Sequence, residues 1–282
     1  MLSEDKEYRI TSLAFKDTQS NTKMAKLQLK TDNVEEGFNC VIWQDVLEKT
    51  TKNTLKVGNI VKVKKYDHNE QYNNYILYSL ELVQEEKIGL GEEEKEALLI
   101  KILETVDLFK DKKLKDAILK VILENRELYI SSPAAEKIHH NYIGGLLQHT
   151  CECINIAKTL FGTLYKDVNQ ELVIAGCITH DLGKMFEYIF DEETGAITRN
   201  AEFKKVWISH IHWGFSWANQ NEFPELAHII ASHHGLKEWK ALVEPQTHEA
   251  NLLHLVDTIS ARLGAIEIKD IEKRQQGQLR LF

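Results

Sequence analysis

Twelve histidines are present, and all but His68 fall between His139 and His254. In chain order the informative positions are His149, the pair His180-Asp181, His210 with His212, the pair His233-His234, and the acid Asp257. Neutral imidazole and carboxylate are ligands that Mn, Fe, Co, Ni and Zn accept readily. Each of these residues sits on or at the end of a segment with helical periodicity, and helices converging on one core bring together ligands that are distant in sequence. Asp257 is the most telling. On a helix it stacks with Leu253 four residues before and Ala261 four after, so its carboxylate lies near an apolar stripe, where an unpaired charge is costly and a metal ion would resolve the cost. A single histidine beside apolar neighbours is more often a hydrogen-bonded core residue, and that reading suffices for His139, His140, His212, His228, His248 and His254. The full order H…HD…H…HH…D, with an acid directly after a histidine, tips the balance toward ligation.

Such a site suits phosphodiester chemistry. A bound divalent ion lowers the pKa of its water and neutralises charge on non-bridging oxygens, and two ions can serve both sides of an in-line displacement. Lys184, four residues beyond His180, lies one turn away if the helix continues, where it would act as a cation toward phosphate; otherwise it is a solvated surface lysine.

The elements that must position these residues change character along the chain. Residues 1–85 show five short strand patterns, at Tyr8 to Phe15, Lys23 to Lys30, Phe38 to Trp43, Gly58 to Tyr66 and Tyr75 to Val83, with a short helix Gln44 to Lys49 after the third. That order is the order of an OB-fold barrel, with an SH3-like module as the alternative. A charged, glycine-containing stretch over residues 86–96 suits a linker. Helical periodicity follows over residues 97–268. Leu98, Leu99, Ile102, Leu103 and Val106 form one stripe and Leu114, Ala117, Ile118, Val121 and Ile122 another. Further helices are expected around 143–161, 169–180, 204–220, 224–234 and 248–265, with no second sheet, and a polar tail occupies 269–282. The fold class is therefore α+β in two domains, a small barrel and an all-helical domain.

Composition sets limits. With 282 residues, 43% hydrophobic and 28% charged, the chain can bury one sizeable core and a smaller one. The four cysteines form no CxxC pair, which excludes a zinc ribbon or redox motif and fits a reduced compartment. MLSEDKEYRI lacks the basic and apolar regions of a signal peptide, and the most apolar run, Leu172 to Thr179, is far short of a membrane span, so a cytoplasmic protein with no membrane partner is expected. The net charge of -8 argues against a broad electrostatic grip on nucleic acid. A barrel can still hold a single strand by stacking and scattered cations, and Trp43, Lys62, Lys64 and Tyr66 are the candidates, with a solvated barrel face as the alternative for the lysines.

The motifs Gly144-Gly145-Leu146-Leu147-Gln148-His149-Thr150, His180-Asp181-Leu182-Gly183-Lys184, Ser232-His233-His234-Gly235, and Glu249-Ala250 through Leu253-His254 to Asp257 resemble those of the HD-domain metal-dependent phosphohydrolases. Within that group the chain is similar to the bacterial YhaM-like 3'→5' exoribonucleases, which join an N-terminal OB-fold to a C-terminal HD domain. The resemblance implies metal ligation by His149, His180, Asp181 and Asp257. A second ion would be bridged by Asp181 and held by His210, or the adjacent His212, with one of His233 or His234. The family usually has Gly-His-Ile where this chain has Ser209-His210-Ile211. Asp181, Lys184 and His234 are the catalytic candidates. One or two divalent ions are implied, Mn foremost, with Fe, Co, Ni, Zn or Mg as alternatives. The implied reaction is attack on the 3'-terminal linkage of single-stranded RNA, or DNA, releasing 5'-mononucleotides. The rival readings are an HD-type nucleotide or cyclic-nucleotide phosphohydrolase, and a non-enzymatic nucleic-acid-binding accessory protein. Homo-oligomerisation is left open.

The last five residues, Gln278-Leu279-Arg280-Leu281-Phe282, resemble the QLxLF motif by which bacterial replication and repair proteins dock onto the sliding clamp. A terminal segment can order on binding, with Leu281 and Phe282 entering an apolar pocket and Gln278 hydrogen-bonding at its rim; the alternative is that Leu279, Leu281 and Phe282 fold back onto the protein. A labelled peptide spanning Lys269 to Phe282, titrated against a bacterial sliding clamp and followed by fluorescence, is expected to bind at about tens of micromolar.

Overall fold

The computed structural model describes residues 2–18, 22–31, 37–50, 54–85, 89–135, 140–162, 167–191 and 195–275, with side chains described as far as Arg262. Gln278, Leu279, Leu281 and Phe282, the clamp-motif residues, lie outside the described residues. Two compact units are present, one centred on Met1–Ile88 and the other on Gly89–Phe190 with Ile197–Ile268.

The first unit is a closed barrel of β1 (Glu7–Asp17), β2 (Lys23–Lys30), β3 (Phe38–Trp43), β4 (Ile60–Asn69) and β5 (Asn74–Gln84), in the order β1-β2-β3-β5-β4. Antiparallel pairing of β1 with β4 closes it, and β3 pairs with β5 in parallel. The short helix α1 (Gln44–Leu47) follows β3, so the element order and closure are those of an OB-like barrel. Period-two burial explains the strands. Ala25, Leu27 and Leu29 point inward from β2, and Val61 and Val63 from β4, leaving Lys62 and Lys64 on the opposite face. In β1 the inward set is Tyr8, Ile10 and then Leu13. A register shift between Ile10 and Ser12 inserts one residue and returns the alternation to the core.

The second unit is helical: α2 (Glu92–Asp107), α3 (Lys112–Glu124), α4 (Arg126–Ser131), α5 (Gly145–Phe161), α6 (Gln170–Thr179), α7 (Lys184–Glu187), α8 (Ala201–Val206), α9 (His210–Gln220), α10 (Pro224–Ser232) and α11 (His248–Gln275). Local signals start several of them. Asp111 and Asn169 each accept a backbone N–H from the third residue on, and Pro224 stands at the head of α10, where its missing N–H costs nothing. Residues Val173 to Thr179 of α6 are all buried, so this helix runs through the core, packed by α5 and α10. Whatever follows its C-terminus is delivered into the interior, and that is His180-Asp181.

Two expectations are corrected. Residues 204–220 do not form one helix: Trp207 and Ser209 are extended, separating α8 from α9, and His210 begins a new helix rather than sitting within one. A second sheet exists, the hairpin of β6 (Tyr188–Phe190) with β7 (Ile197–Arg199), three residues per strand and too short to show a period.

Gly183 lies where two backbones meet. A Cβ there would sit 2.5 Å from the His210 carbonyl oxygen and 2.7 Å from its Cα. Neither neighbour is a flexible side chain, so one backbone must shift. Gly183→Ala is expected to destabilise the protein by about 1–3 kcal/mol, measured as a lower urea midpoint with an unchanged m-value.

Candidate metal centre

His180 caps α6 at its C-terminal end, and the chain then turns through Asp181-Leu182-Gly183 before α7. The helix therefore does not run on from His180 to Lys184. Instead Lys184 folds back, and its Nζ donates to Asp181 Oδ2 at 2.6 Å. Burial alone would strip charge from both groups, yet Lys184 and His180 hold the Asp181 carboxyl well below the usual carboxylate range. Burial likewise opposes the Lys184 charge, and Asp181 outweighs it, raising the Lys184 pKa. The sequence placed Lys184 toward phosphate; the structure places it on Asp181.

Around Asp181 two groups of donors assemble. On the Oδ2 side, His149 Nε2 lies 3.6 Å and His180 Nε2 3.4 Å away. Asp257 Oδ1 closes this group at 3.2 Å from His149 Nε2 and 3.9 Å from His180 Nε2, and the two imidazole nitrogens stand 3.3 Å apart. Atoms bound to one ion at about 2.1 Å stand roughly 3–3.4 Å from one another; three of the separations here fall in that range and the other two, 3.6 and 3.9 Å, lie just beyond it. On the Oδ1 side, His210 Nε2 lies 3.4 Å and His233 Nε2 3.7 Å away. His210, His233 and His234 each offer a donor within 4.8 Å of the others.

The residues fit cations by a second test. Asp181 Oδ1, His210 Nε2 and His233 Nε2 are buried polar atoms with no hydrogen-bond partner among the described residues, and they converge on one point. Buried polar atoms are nearly always satisfied, so three orphans facing each other mark a place for an ion. Every imidazole is also turned the same way. His180 Nδ1 lies 3.1 Å from the Gly176 and Cys177 carbonyls, His233 Nδ1 2.7 Å from the Ile230 carbonyl and His234 Nδ1 2.9 Å from the Trp239 carbonyl. His210 Nδ1 lies 2.8 Å from Glu187 Oε2 and His149 Nδ1 3.0 Å from Ser260 Oγ. With Nδ1 donating in all five, each ring when neutral presents its Nε2 lone pair to the centre; burial opposes the charge on His180, and Asp181 and Asp257 outweigh it, raising its pKa. Burial lowers the His149 pKa, and burial with a neighbouring imidazole lowers His233 strongly and His234 to about 4, so these rings are neutral at ordinary pH.

His212 instead pairs its Nδ1 with Ser209 Oγ at 3.2 Å and stands outside both groups. The structure also brings in residues that the sequence reading passed over. Glu187 accepts from the His210 backbone N–H as well as its ring, both at 2.8 Å. Ser260 donates to Glu152 Oε2 at 2.8 Å, and Glu152 also binds His140 at 3.0 Å and Gln148 at 3.0 Å, giving His149 a chain of support. Burial opposes the charge on Glu152, and its bonds, His140 first, bring its pKa down to about 2. Cys153, one turn beyond His149, lies within reach of the first group, and burial raises its thiol pKa well above the ordinary value. The signal for Glu152 and Glu187 was an acid set in an apolar run, one turn from a histidine or lysine of the motif; Ser260 and Cys153 carried none.

The barrel candidates lie in the other unit. Lys64 bridges Asp5 at 2.8 Å and Glu81 at 3.0 Å, and Lys62 faces Glu7 at 3.9 Å. Tyr66 donates its hydroxyl to the Leu2 carbonyl at 2.6 Å and packs edge-on to Tyr75, while Trp43 is exposed.

Residues 146–262 match the protein family described as HD domain, a span that takes in both donor groups of the helical unit. The chain is 32% identical over 206 residues to a 3'-5' exoribonuclease YhaM of Oceanobacillus iheyensis, covering 69% of this chain and 63% of that protein. To the protein of the same name in Bacillus subtilis it is 29% identical over 159 residues, covering 53% of this chain and 48% of that protein. The chain thus spans less than two thirds of the length of the curated relatives it matches. The HD domain of the phosphodiesterase PgpH of L. monocytogenes aligns with 57% of this chain and 86% of that one, at 20% identity and a TM-score of 0.33.

Removing Asp181 alone leaves the Lys184 ammonium buried without a partner, a loss of about 3–5 kcal/mol. The double variant Asp181→Ala/Lys184→Met removes both charges and is expected to unfold nearer the wild-type temperature than Asp181→Ala. Both variants are expected to lose at least tenfold in Mn2+ affinity by titration calorimetry.

Proposed function

We propose that this HD-domain chain is a metal-dependent phosphodiesterase that shortens single-stranded RNA from its 3' end and releases 5'-mononucleotides. The observation that carries the reading is the buried Asp181 carboxylate with a group of imidazoles on each of its oxygens, which supports two adjacent cation sites. The direction of attack and the RNA substrate are supported by the similarity to proteins named 3'-5' exoribonuclease. His149, His180, Asp181 and Asp257 would hold one ion, and Asp181, His210, His233 and His234 a second; Mn is the metal proposed, and Fe, Co, Ni and Zn also accept this imidazole-rich set.

Such ions supply Lewis acidity, which activates water and neutralises phosphate charge. The chain's own residues do the rest. Lys184 keeps Asp181 ionised and in place, so that carboxylate would not need to lose a proton when the site loads. Glu187 and the Ser260-Glu152 pair hold the rings of His210 and His149 in one orientation, so the centre requires little rearrangement as charge develops. His234, the least buried of the five imidazoles, is the group on that side open to a reacting phosphate.

The barrel is proposed to hold the strand away from the chemistry. Trp43 is the exposed stacking surface among the four barrel candidates, and Lys62 and Lys64 would have to exchange carboxylate partners for phosphates. A cytoplasmic location, with docking of the terminal Gln278-Leu279-Arg280-Leu281-Phe282 on a sliding clamp, completes the reading.

Incubation of the purified chain with 3'- and 5'-end-labelled single-stranded RNA and DNA, in Mn2+, Mg2+ or chelator, tests it. Stepwise shortening from the 3' end of RNA, abolished by chelator, is expected; no metal-dependent hydrolysis of either strand would falsify the assignment. Removal of residues 1–85 is expected to slow degradation of long strands at least tenfold more than hydrolysis of a p-nitrophenyl phosphodiester, because remote binding energy is lost and the chemistry is not. Equal losses on the two substrates would reduce the barrel to a scaffold.

A further inference from the structure

The centre has an aromatic neighbour that the reaction as described does not use. After His233-His234 the chain runs through Gly235 into a 3₁₀ turn, Lys237–Trp239, and Lys240 ends that turn in the left-handed region at φ 73°. The turn is fastened at several points. Gly235 N–H donates to the Ser232 carbonyl at 2.7 Å, Trp239 N–H to the Leu236 carbonyl at 2.9 Å, and Leu242 N–H to the Ala231 carbonyl at 2.8 Å. Gly235 itself, at φ +79°, lies so close to His254 that a Cβ would stand 2.4 Å from the imidazole Cε1. His254 in turn binds the His233 carbonyl through Nδ1 at 2.8 Å, one turn before the ligand Asp257 on the same helix. The turn, α11 and the histidine pair therefore form one braced unit.

Within that unit the Trp239 carbonyl accepts from His234 Nδ1 at 2.9 Å, while Nε2 of the same ring belongs to the second donor group. Trp239 is thus one imidazole away from the metal-binding atoms. Its indole is nevertheless 54% exposed, and its ring lies 6.3 Å from the His254 ring at a tilt of 36°. A large aromatic held rigidly by its backbone, with much of its ring uncovered, next to a phosphate centre, has the attributes of a stacking surface. Lys237 and Lys240, which flank Trp239 in the chain, are exposed.

We infer that the turn Gly235–Lys240 is the nucleobase subsite of this centre, with the indole of Trp239 stacking on the base of the nucleotide whose phosphate occupies the donor groups. The inference rests on reading the centre as a phosphate site and adds to it the group that recognises a base. Stacking accepts every base, because each has a π-face, so the subsite distinguishes a nucleotide from a bare sugar phosphate rather than one base from another.

Calorimetric titration of the full chain, loaded with Mn2+, with AMP and with ribose 5-phosphate separates the two ideas. AMP is expected to bind about fivefold to a hundredfold more tightly than ribose 5-phosphate. That ratio is expected to fall toward one in Trp239→Ala and to survive in large part in Trp239→Phe, which keeps an aromatic face. Because the indole is largely exposed, the alanine variant leaves the core intact, which circular dichroism checks. Equal affinity for both ligands in the wild type would overturn the subsite while the phosphate centre stands. A ratio that persists in Trp239→Ala would place base recognition elsewhere. Failure of both ligands to bind would remove the phosphate centre and the subsite together.

Discussion

The Asp181 carboxylate is buried at the end of a helix that is itself buried on all sides, and its two oxygens face different groups of imidazoles. A carboxylate in that position must be compensated, and Lys184 supplies one opposite charge and a hydrogen bond to Oδ2 alone. The other oxygen faces His210 Nε2 and His233 Nε2 at 3.4 and 3.7 Å, and none of the three atoms has a hydrogen-bond partner among the described residues. The rest of the helical unit can be understood as the means of keeping this arrangement in place: an apolar α6 to carry it inward, α5 and α11 to bring His149 and Asp257 to one side, and α9 and α10 to bring His210 and His233 to the other.

The imidazoles are supported in two ways. His180, His233 and His234 rest on backbone carbonyls, which fixes orientation without adding charge. His210 rests on Glu187, and His149 reaches Glu152 through Ser260, so each donor group contains one imidazole backed, directly or through a hydroxyl, by a carboxylate. A carboxylate behind an imidazole makes its lone pair a stronger donor. The acids are therefore distributed one to each side, with Asp181 between them.

Much of this was legible in the sequence. Period-two alternation is clear in β2, where Ala25, Leu27 and Leu29 mark the inner face, whereas a register shift interrupts it in β1 and a run of three buried residues in β3. The order of histidines and acids pointed to His149, His180, Asp181 and Asp257 and left His210 against His212 and His233 against His234 open; the fold gathers His210, His233 and His234 and leaves His212 aside, and Asp257 is half-buried beside the first group. What escaped is what depends on distance in space. The break between α8 and α9 follows no glycine or proline, and the pairing of Lys184 with Asp181 required a turn where helical continuation was assumed. Ser260 supports His149 from 111 residues away, which no local pattern encodes.

The acidic character of the chain bears on how a polyanion would be held. With a net charge of -8, and with Lys62 and Lys64 already facing carboxylates on the barrel surface, no general positive field is available to gather phosphates. Affinity would then reside in contacts that do not depend on net charge: cations at the Asp181 centre for one phosphate, and aromatic faces for bases. The two kinds of contact impose different selectivity. An ion-held phosphate accepts any backbone, whereas a rigid indole beside it favours an unstacked base, which a free strand end presents and a duplex does not.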